Sequence, residues 1–145
     1  MSSRKETKML GHQYVVDLYN CNAGKINDVD LVESSLRKIA LITKSNVLTT
    51  SFHKFSPQGI TVVFIVQNSH FSFHSWPEHK FASVDLFVCN GPLDIVQCVS
   101  VLKEDFECFD ASCILINRGI QYWLKYITEI SYDPYTQLSL TQDIQ

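Results

Sequence analysis

The sequence has no apolar run long enough to cross a membrane. Its longest apolar stretch runs from Ile60 to Val66 and is interrupted by Thr61, far short of the roughly 20 residues that a spanning helix needs. The first eight residues are mostly polar and are not followed by the apolar segment of a secretory signal. We therefore expect a cytoplasmic protein without a membrane role.

Basic residues and paired cysteines are also scarce. The 145 residues include 12 Lys and Arg against 15 Asp and Glu, a net charge of -3, and no basic cluster follows the first eight residues. Nucleic-acid binding is therefore not expected, because it needs Lys and Arg gathered on one surface. The five cysteines form no C-x-x-C pair and are odd in number, so we expect reduced thiols rather than a disulfide framework.

The apolar content is sufficient for one folded domain. Hydrophobic residues make up 46% of the chain, which is typical of globular proteins and too high for a disordered chain. No linker divides the sequence. We expect a single domain over 1–145, with a flexible N-terminus at 1–9 and no assignable element in 120–145.

Apolar periodicity predicts six strands and two helices. The strands are predicted at 12–19, 46–55, 60–67, 69–76, 81–88 and 111–117. The first helix is predicted to be capped by Asn27 or Asp28 and to run to about Thr43, and the second to span 93–106. Segment 60–67 is apolar almost throughout, which is typical of a strand buried on both faces. The buried stripe of the first helix is predicted at Val32, Leu36, Ile39 and Ala40, and that of the second at Ile95, Val96, Val99 and Leu102. Pro92 suits the first turn of the second helix.

These elements predict an α+β fold, a two-layer sandwich of a mostly antiparallel sheet with two helices on one face. Neighbouring strands are joined by short turns, which favours antiparallel pairing. Both helices must bury their apolar stripes against the same face of the sheet. The other face then stays exposed and apolar, which predicts that the protein dimerises through the sheet region.

The segment from Asn68 to His79 concentrates histidine, serine and aromatic residues, and three interpretations compete. A shared metal site is disfavoured, because His70 and His74 would lie about 13 Å apart on a strand while metal–nitrogen bonds are about 2 Å. A hydrolase triad of Ser69, His74 and Asp85 lacks the G-x-S-x-G turn that exposes the serine. The third interpretation treats all these side chains as ordinary residues of a half-buried strand.

A family resemblance favours a fourth interpretation over these three. The blocks that carry it are FHKFSPQG at 52–59, NSH at 68–70, HSWPEH at 74–79 and ASVDLFVC at 82–89, with shorter matches at 10–12 and 18–21. With their spacing, these blocks closely resemble the small bacterial and archaeal S-adenosylmethionine decarboxylases. The resemblance extends from about Leu10 to Cys89 and is most specific in the serine, histidine and Trp-Pro-Glu block.

The resemblance implies a chain that cuts itself between Asn68 and Ser69, leaving 1–68 and 69–145. Ser69 would become a pyruvoyl group, a covalent cofactor that forms a Schiff base with the substrate and accepts the electrons left when carbon dioxide departs. The implied reaction converts S-adenosylmethionine into its decarboxylated form, the aminopropyl donor for spermidine synthesis.

The resemblance also implies roles for further residues. His74 would assist self-cleavage, and Thr61 would support it at a place where the family usually has serine. Cys89 would return a proton to the substrate carbon, which suits a thiol because thiols are ordinarily protonated near neutrality. Phe55 would stack on adenine and Glu78 would hold the ribose hydroxyls. The family builds its site across a homodimer, which agrees with the exposed sheet face.

Departures from the family pattern leave alternatives open. The family usually has Glu before the processed serine, and Asn68 stands there instead, so a non-catalytic relative that pairs with an active subunit is one alternative. A pyruvoyl-dependent arginine or ornithine decarboxylase is another. Ser69 and His74 would also face opposite sides of an unbroken strand, and a bend at the cleavage point would be needed to bring them together.

Overall fold

Six strands and two helices make up the part of the chain that the structure, a computed structural model, describes, residues 9–119. The strands are β1 (Gly11–Tyr19), β2 (Val47–Lys54), β3 (Ile60–Val66), β4 (Ser69–Trp76), β5 (Phe81–Val88) and β6 (Asp110–Arg118), and the helices are α1 (Val29–Ile42) and α2 (Ile95–Phe106). Expectations for 1–8 and for 120–145 lie outside the described residues. Within 9–119, neither helix is long and apolar enough to cross a membrane.

The strands form one sheet in the order β2-β3-β4-β5-β1-β6, and every neighbouring pair is antiparallel. Strands β2 to β5 follow one another as hairpins, while β1 lies between β5 and β6. Both helices pack on the same face, because their buried side chains belong to one core with the buried side chains of the sheet. The predicted two-layer α+β architecture is confirmed.

Alternate residues of the central strands point towards the helices and are buried, as the two-residue period of a strand requires. In α1 the predicted buried stripe is confirmed, and its members are Val32, Leu36, Ile39 and Ala40. The side chain of Asp28 accepts a hydrogen bond from the amide of Leu31 (3.1 Å) and so caps the first turn of α1.

Three of the four residues in the predicted buried stripe of α2 face the core, since Leu102 is buried and Ile95 and Val99 are partly buried and pack against it. The predicted start of the helix and the burial of Val96 are wrong. The carboxylate of Asp94 accepts a hydrogen bond from the amide of Gln97 (3.0 Å), so the helix begins after Asp94 and Pro92 precedes it. The buried residues of α2 are Cys98, Leu102 and Phe106. Val96, predicted to be buried, is 78% exposed. The capping carboxylate determines where the helix begins, and the 3.6-residue period places Val96 outside the stripe formed by Cys98, Leu102 and Phe106.

Strand β3 is buried on one face only, which corrects the expectation that both faces are covered. Val62 and Phe64 point into the core, whereas Ile65 is 51% exposed on the opposite face. The reason is that both helices pack on the same side of the sheet. An apolar run by itself does not reveal how many faces of a strand are covered.

Two matched substitutions test the orientation of the helices. Both are made in a chain that carries Ser69→Ala, because that change removes the predicted cleavage. Val32→Ala should lower the free energy of unfolding by about 2 kcal/mol, because two fully buried methyl groups are lost. Val96→Ala removes the same atoms from an exposed side chain and should change it by less than about 0.5 kcal/mol. Denaturant unfolding measures both values, and equal losses would contradict the observed orientation of α2.

Candidate active site

The predicted cleavage point lies at the turn between β3 and β4. Val66 pairs with Ser69, so Gln67 and Asn68 form the turn, and Asn68 has a positive φ of 65°. Asparagine is one of the few residues besides glycine that adopts this left-handed conformation readily. The peptide bond between Asn68 and Ser69 therefore lies where the exposed turn enters the half-buried start of β4.

The thiol of Cys89 donates a hydrogen bond to the carbonyl oxygen of Asn68, with a distance of 3.0 Å between sulfur and oxygen. The sheet register explains this contact: His70 pairs with Phe87, and extending this antiparallel register by two positions opposes Asn68 to Cys89. A hydrogen bond to a carbonyl oxygen polarises the carbonyl group. The structure thus brings together three of the predicted site residues, Asn68, Ser69 and Cys89.

A cleft of about 270 Å³ opens beside this group. Its walls include Ser69 and Cys89, the C-terminal end of α1 with Lys44, and the loop 90–94 that leads into α2. The buried hydroxyl of Tyr14 accepts a hydrogen bond from the amide of Leu93 (3.2 Å) and holds this loop in place. The cleft is slightly smaller than the roughly 300–1,000 Å³ that is usual for small-molecule sites.

Thr61 and His74 form a second group on the open face of the sheet, the face without helices. They are directly opposed on β3 and β4, and Thr61 Oγ1 lies 2.5 Å from His74 Nδ1. The imidazole of His74 contacts Phe55, with 5.7 Å between ring centroids, and Trp76, with 4.2 Å. The hydroxyl and the two aromatic rings hold the imidazole in one orientation.

A row of polar side chains continues from this group across all six strands. Its members, each opposed to the next in the sheet, are His53, Thr61, His74, Ser83, Asp17 and Ser112. Burial raises the pKa of Asp17, the Tyr19 hydroxyl lowers it by donating to the carboxylate, and the charge of Asp85 raises it. Exposed apolar residues flank the row, among them Ile65, Ile114 and Ile116. The open face is therefore apolar only in part.

The two groups lie on opposite faces of the sheet. Strand β4 is paired without interruption on both sides from His70 to His74, so no bend occurs between Ser69 and His74. Ser69 lies on the same face as the buried Phe71, two residues further on, whereas His74 points to the open face. Five residues of extended strand also separate Ser69 from His74 by about 17 Å. Within one chain, the structure does not bring His74 to the cleavage point.

Glu78 lies beyond β4, in the short turn Pro77–His79. Its exposed carboxylate accepts a hydrogen bond from the side-chain amide of Gln58 (3.3 Å). Gln58 belongs to the turn that connects β2 to β3 and follows Phe55. This turn is fixed to the protein by a hydrogen bond from the amide of Gly59 to the side chain of Asn27 (2.9 Å). Phe55 and Glu78 are thus associated with the His74 group.

Two aromatic residues near His74 were not predicted to belong to the site. Trp76 contacts the imidazole directly, and His53 packs edge-on against Phe55 with 4.6 Å between centroids. The sequence does contain the signal for Trp76, since residues two apart on a strand share a face. His53 comes near His74 because it pairs with Thr61, which in turn pairs with His74. The alternation of apolar residues along a strand does not reveal this pairing.

Comparison with known proteins agrees with this architecture. The family profile described as S-adenosylmethionine decarboxylase matches residues 12–119, which is most of the chain and includes both groups. The chain belongs to this family. A relative from Acidithiobacillus ferrooxidans, named S-adenosylmethionine decarboxylase proenzyme, is 36% identical over 112 residues, which cover 77% of this chain and 84% of that protein.

Solved structures extend the family comparison to three dimensions. The crystal structure of the adenosylmethionine decarboxylase from Aquifex aeolicus aligns with a TM-score of 0.70 and 27% identity, covering 83% of this chain and 99% of that chain. Trypanosoma brucei AdoMetDC aligns with a TM-score of 0.53 and 15% identity, covering 72% of this chain and 45% of that one. The second likeness shows the shared fold alone.

The positive φ of Asn68 predicts which substitutions the turn tolerates. In the Ser69→Ala chain, Asn68→Val should lower the free energy of unfolding by about 1–2 kcal/mol, because a β-branched residue is strained in the left-handed conformation. Asn68→Gly, the matched control, should cost little, since glycine adopts that conformation freely. Denaturant unfolding measures both, and equal stability of the two variants would contradict the left-handed assignment of Asn68.

Proposed function

We propose that this protein is a self-processing, pyruvoyl-dependent decarboxylase that converts S-adenosylmethionine into the aminopropyl donor for spermidine synthesis. The observation that carries the proposal is the hydrogen bond from the Cys89 thiol to the carbonyl oxygen of Asn68, beside Ser69. In a member of this family, self-cleavage requires a donor at this carbonyl oxygen, because negative charge develops there when the serine attacks. The names of the relatives, which describe them as proenzymes, also support the proposal.

Self-cleavage begins with attack of the Ser69 hydroxyl on the carbonyl carbon of Asn68. The C–N bond breaks and the nitrogen of Ser69 takes the proton, which leaves an ester. The Cys89 thiol stabilises the negative charge that develops on the carbonyl oxygen during attack. Elimination then releases 1–68 as a carboxylate, and water converts the remaining dehydroalanine into a pyruvoyl group with loss of ammonia.

The position of Ser69 fits a pyruvoyl group, because it is half-buried at the cleft wall and next to a thiol. The group supplies a carbonyl that takes up the electrons released on decarboxylation. Cys89, on the same wall, is the residue that we propose returns a proton to the substrate carbon. Its place beside the cleavage point suits both of its proposed tasks.

Phe55 and Glu78 are the residues that we propose bind the nucleoside part of the substrate. Phe55 is 42% exposed, so its ring is accessible for stacking on adenine. The carboxylate of Glu78 is oriented by Gln58 and has free lone pairs for the ribose hydroxyls. Both belong to the His74 group, which lies away from Ser69 of the same chain.

A homodimer is the arrangement that we propose completes the site. Ser69 and Cys89 of one chain need a histidine to assist cleavage, and their own His74 is about 17 Å away along β4. A second copy is a source of His74, Thr61, Phe55 and Glu78. In a two-fold dimer each copy supplies what the other lacks, so two equivalent sites form. The exposed Ile65, Ile114 and Ile116 on the open face favour burial against a partner.

Intact-mass measurement of denatured protein, followed by a substrate assay, tests the function. Wild type should yield two fragments divided between Asn68 and Ser69, the second with pyruvoyl in place of serine, while Ser69→Ala stays whole. The Cys89→Ala variant should cleave at least about tenfold more slowly. The expected loss is smaller than that seen when an enzyme loses an amide donor to an oxyanion, because a thiol is a weaker hydrogen-bond donor than an amide. Once cleaved, it should decarboxylate poorly.

The processed enzyme is then offered S-adenosylmethionine, arginine and ornithine separately. Carbon dioxide should be released from S-adenosylmethionine. Release from arginine or ornithine only would contradict the proposed substrate while leaving the cofactor in place. A wild-type chain that stays whole on prolonged incubation would contradict self-processing and favour a non-catalytic partner subunit. Asn68→Glu, which restores the residue usual in the family, would then test whether Asn68 is the cause.

A further inference from the structure

Two buried thiols face each other outside the site described above. Cys21 follows the end of β1 and is 2% exposed, and Cys108 follows the end of α2 and is 7% exposed. Their sulfur atoms are 2.8 Å apart, with Cys108 as the hydrogen-bond donor. Both cysteines are free. The two sulfurs need to approach by less than about 1 Å to reach the length of a disulfide bond.

Backbone hydrogen bonds on both sides hold the two cysteines in this position. The amide of Asn22 donates to the carbonyl oxygen of Phe106 (2.9 Å), and the amide of Phe109 donates to that of Tyr19 (3.2 Å). The segments 19–22 and 106–109 therefore run side by side. The main chain thus holds the two cysteine residues next to each other, and their side chains point towards one another in the structure.

The contact also makes one of the thiols more reactive than an ordinary buried cysteine. The hydrogen bond donated by Cys108 lowers the pKa of Cys21, which favours the thiolate, the form that reacts with oxidants. By contrast, burial raises the pKa of Cys98 to about 11. Cys108 lies in a surface loop next to Phe109, which is 79% exposed, so a small local opening admits a small oxidant.

We infer that Cys21 and Cys108 form a reversible disulfide bond, and that this bond links the two fragments of the processed protein. Hydrogen peroxide is an oxidant of the required class. The Cys21 thiolate attacks the peroxide and becomes a sulfenic acid, and Cys108 displaces water from it to form the S–S bond. Overall, two thiols lose two electrons and two protons, and one peroxide is reduced to two water molecules.

The link between fragments follows from the position of the cleavage point, and only this half of the inference rests on the proposed function. Cys21 lies in 1–68 and Cys108 in 69–145. After cleavage the fragments share one sheet, since β3 pairs with β4 and β1 pairs with both β5 and β6. The disulfide adds a covalent connection to that pairing, and a thiol reductant removes it.

Treating the purified full chain with a small excess of hydrogen peroxide tests the inference. Remaining thiols are blocked under denaturing conditions without reductant, and the protein is weighed and mapped by proteolysis. We expect two of the five cysteines to escape blocking and a peptide containing Cys21 to be joined to one containing Cys108. Reductant should separate the two peptides. This measurement on wild type needs no variant to fold.

Variants identify the pair. Cys21→Ser and Cys108→Ser should each abolish the link, whereas Cys98→Ser and Cys113→Ser, the matched controls, should leave it intact. Five blockable thiols after treatment, or a link through Cys98 or Cys113, would overturn the inference. A linked chain that is not cut between Asn68 and Ser69 would contradict the proposed function and leave the disulfide standing.

Discussion

Strand β4 alternates its side chains between the two faces of the sheet, and the whole candidate site depends on that alternation. Its first residue, Ser69, belongs with the helix-covered face, and His74 belongs with the open face. Pairing with β3 and β5 keeps the strand straight between the two residues. His74 therefore lies on the face opposite Ser69 of its own chain, and this separation is the reason for proposing that a second copy supplies the residues that assist cleavage.

The same register accounts for the group at the cleavage point. Continuation of the β4–β5 pairing opposes Cys89 to Asn68, so the thiol donates a hydrogen bond to the carbonyl that Ser69 attacks in the proposed cleavage. Asn68 also suits its position in the turn, because asparagine adopts a positive φ at less cost than most residues. Asn68 thus fits the turn, and in the proposed cleavage the groups that react are its backbone carbonyl and the Ser69 hydroxyl rather than its side chain.

Most of the secondary structure could be predicted from the sequence, because period-two and helical patterns act locally. The bounds of β4 and β5 match the prediction, and so does the buried stripe of α1. One error is local and the other is not: the Asp94 cap of α2 could be read from the sequence, whereas the coverage of β3 could not. The start of α2 depends on capping by Asp94, and the exposure of Ile65 depends on where both helices pack. The resemblance named the site residues, and strand alternation already placed Ser69 and His74 on opposite faces. Only the sheet pairing shows that Cys89 lies beside Ser69 and Thr61 beside His74.

The central claim is that two chains share each site, and mixing two inactive variants tests it most directly. A chain with Ser69→Ala keeps His74, and a chain with His74→Ala keeps Ser69. Folded together in equal amounts, they should cleave roughly one quarter of all chains, because half of randomly paired dimers are mixed and each mixed dimer has one complete site. Each variant alone should stay whole. A mixture that also stays whole, while wild type cleaves, would contradict the account.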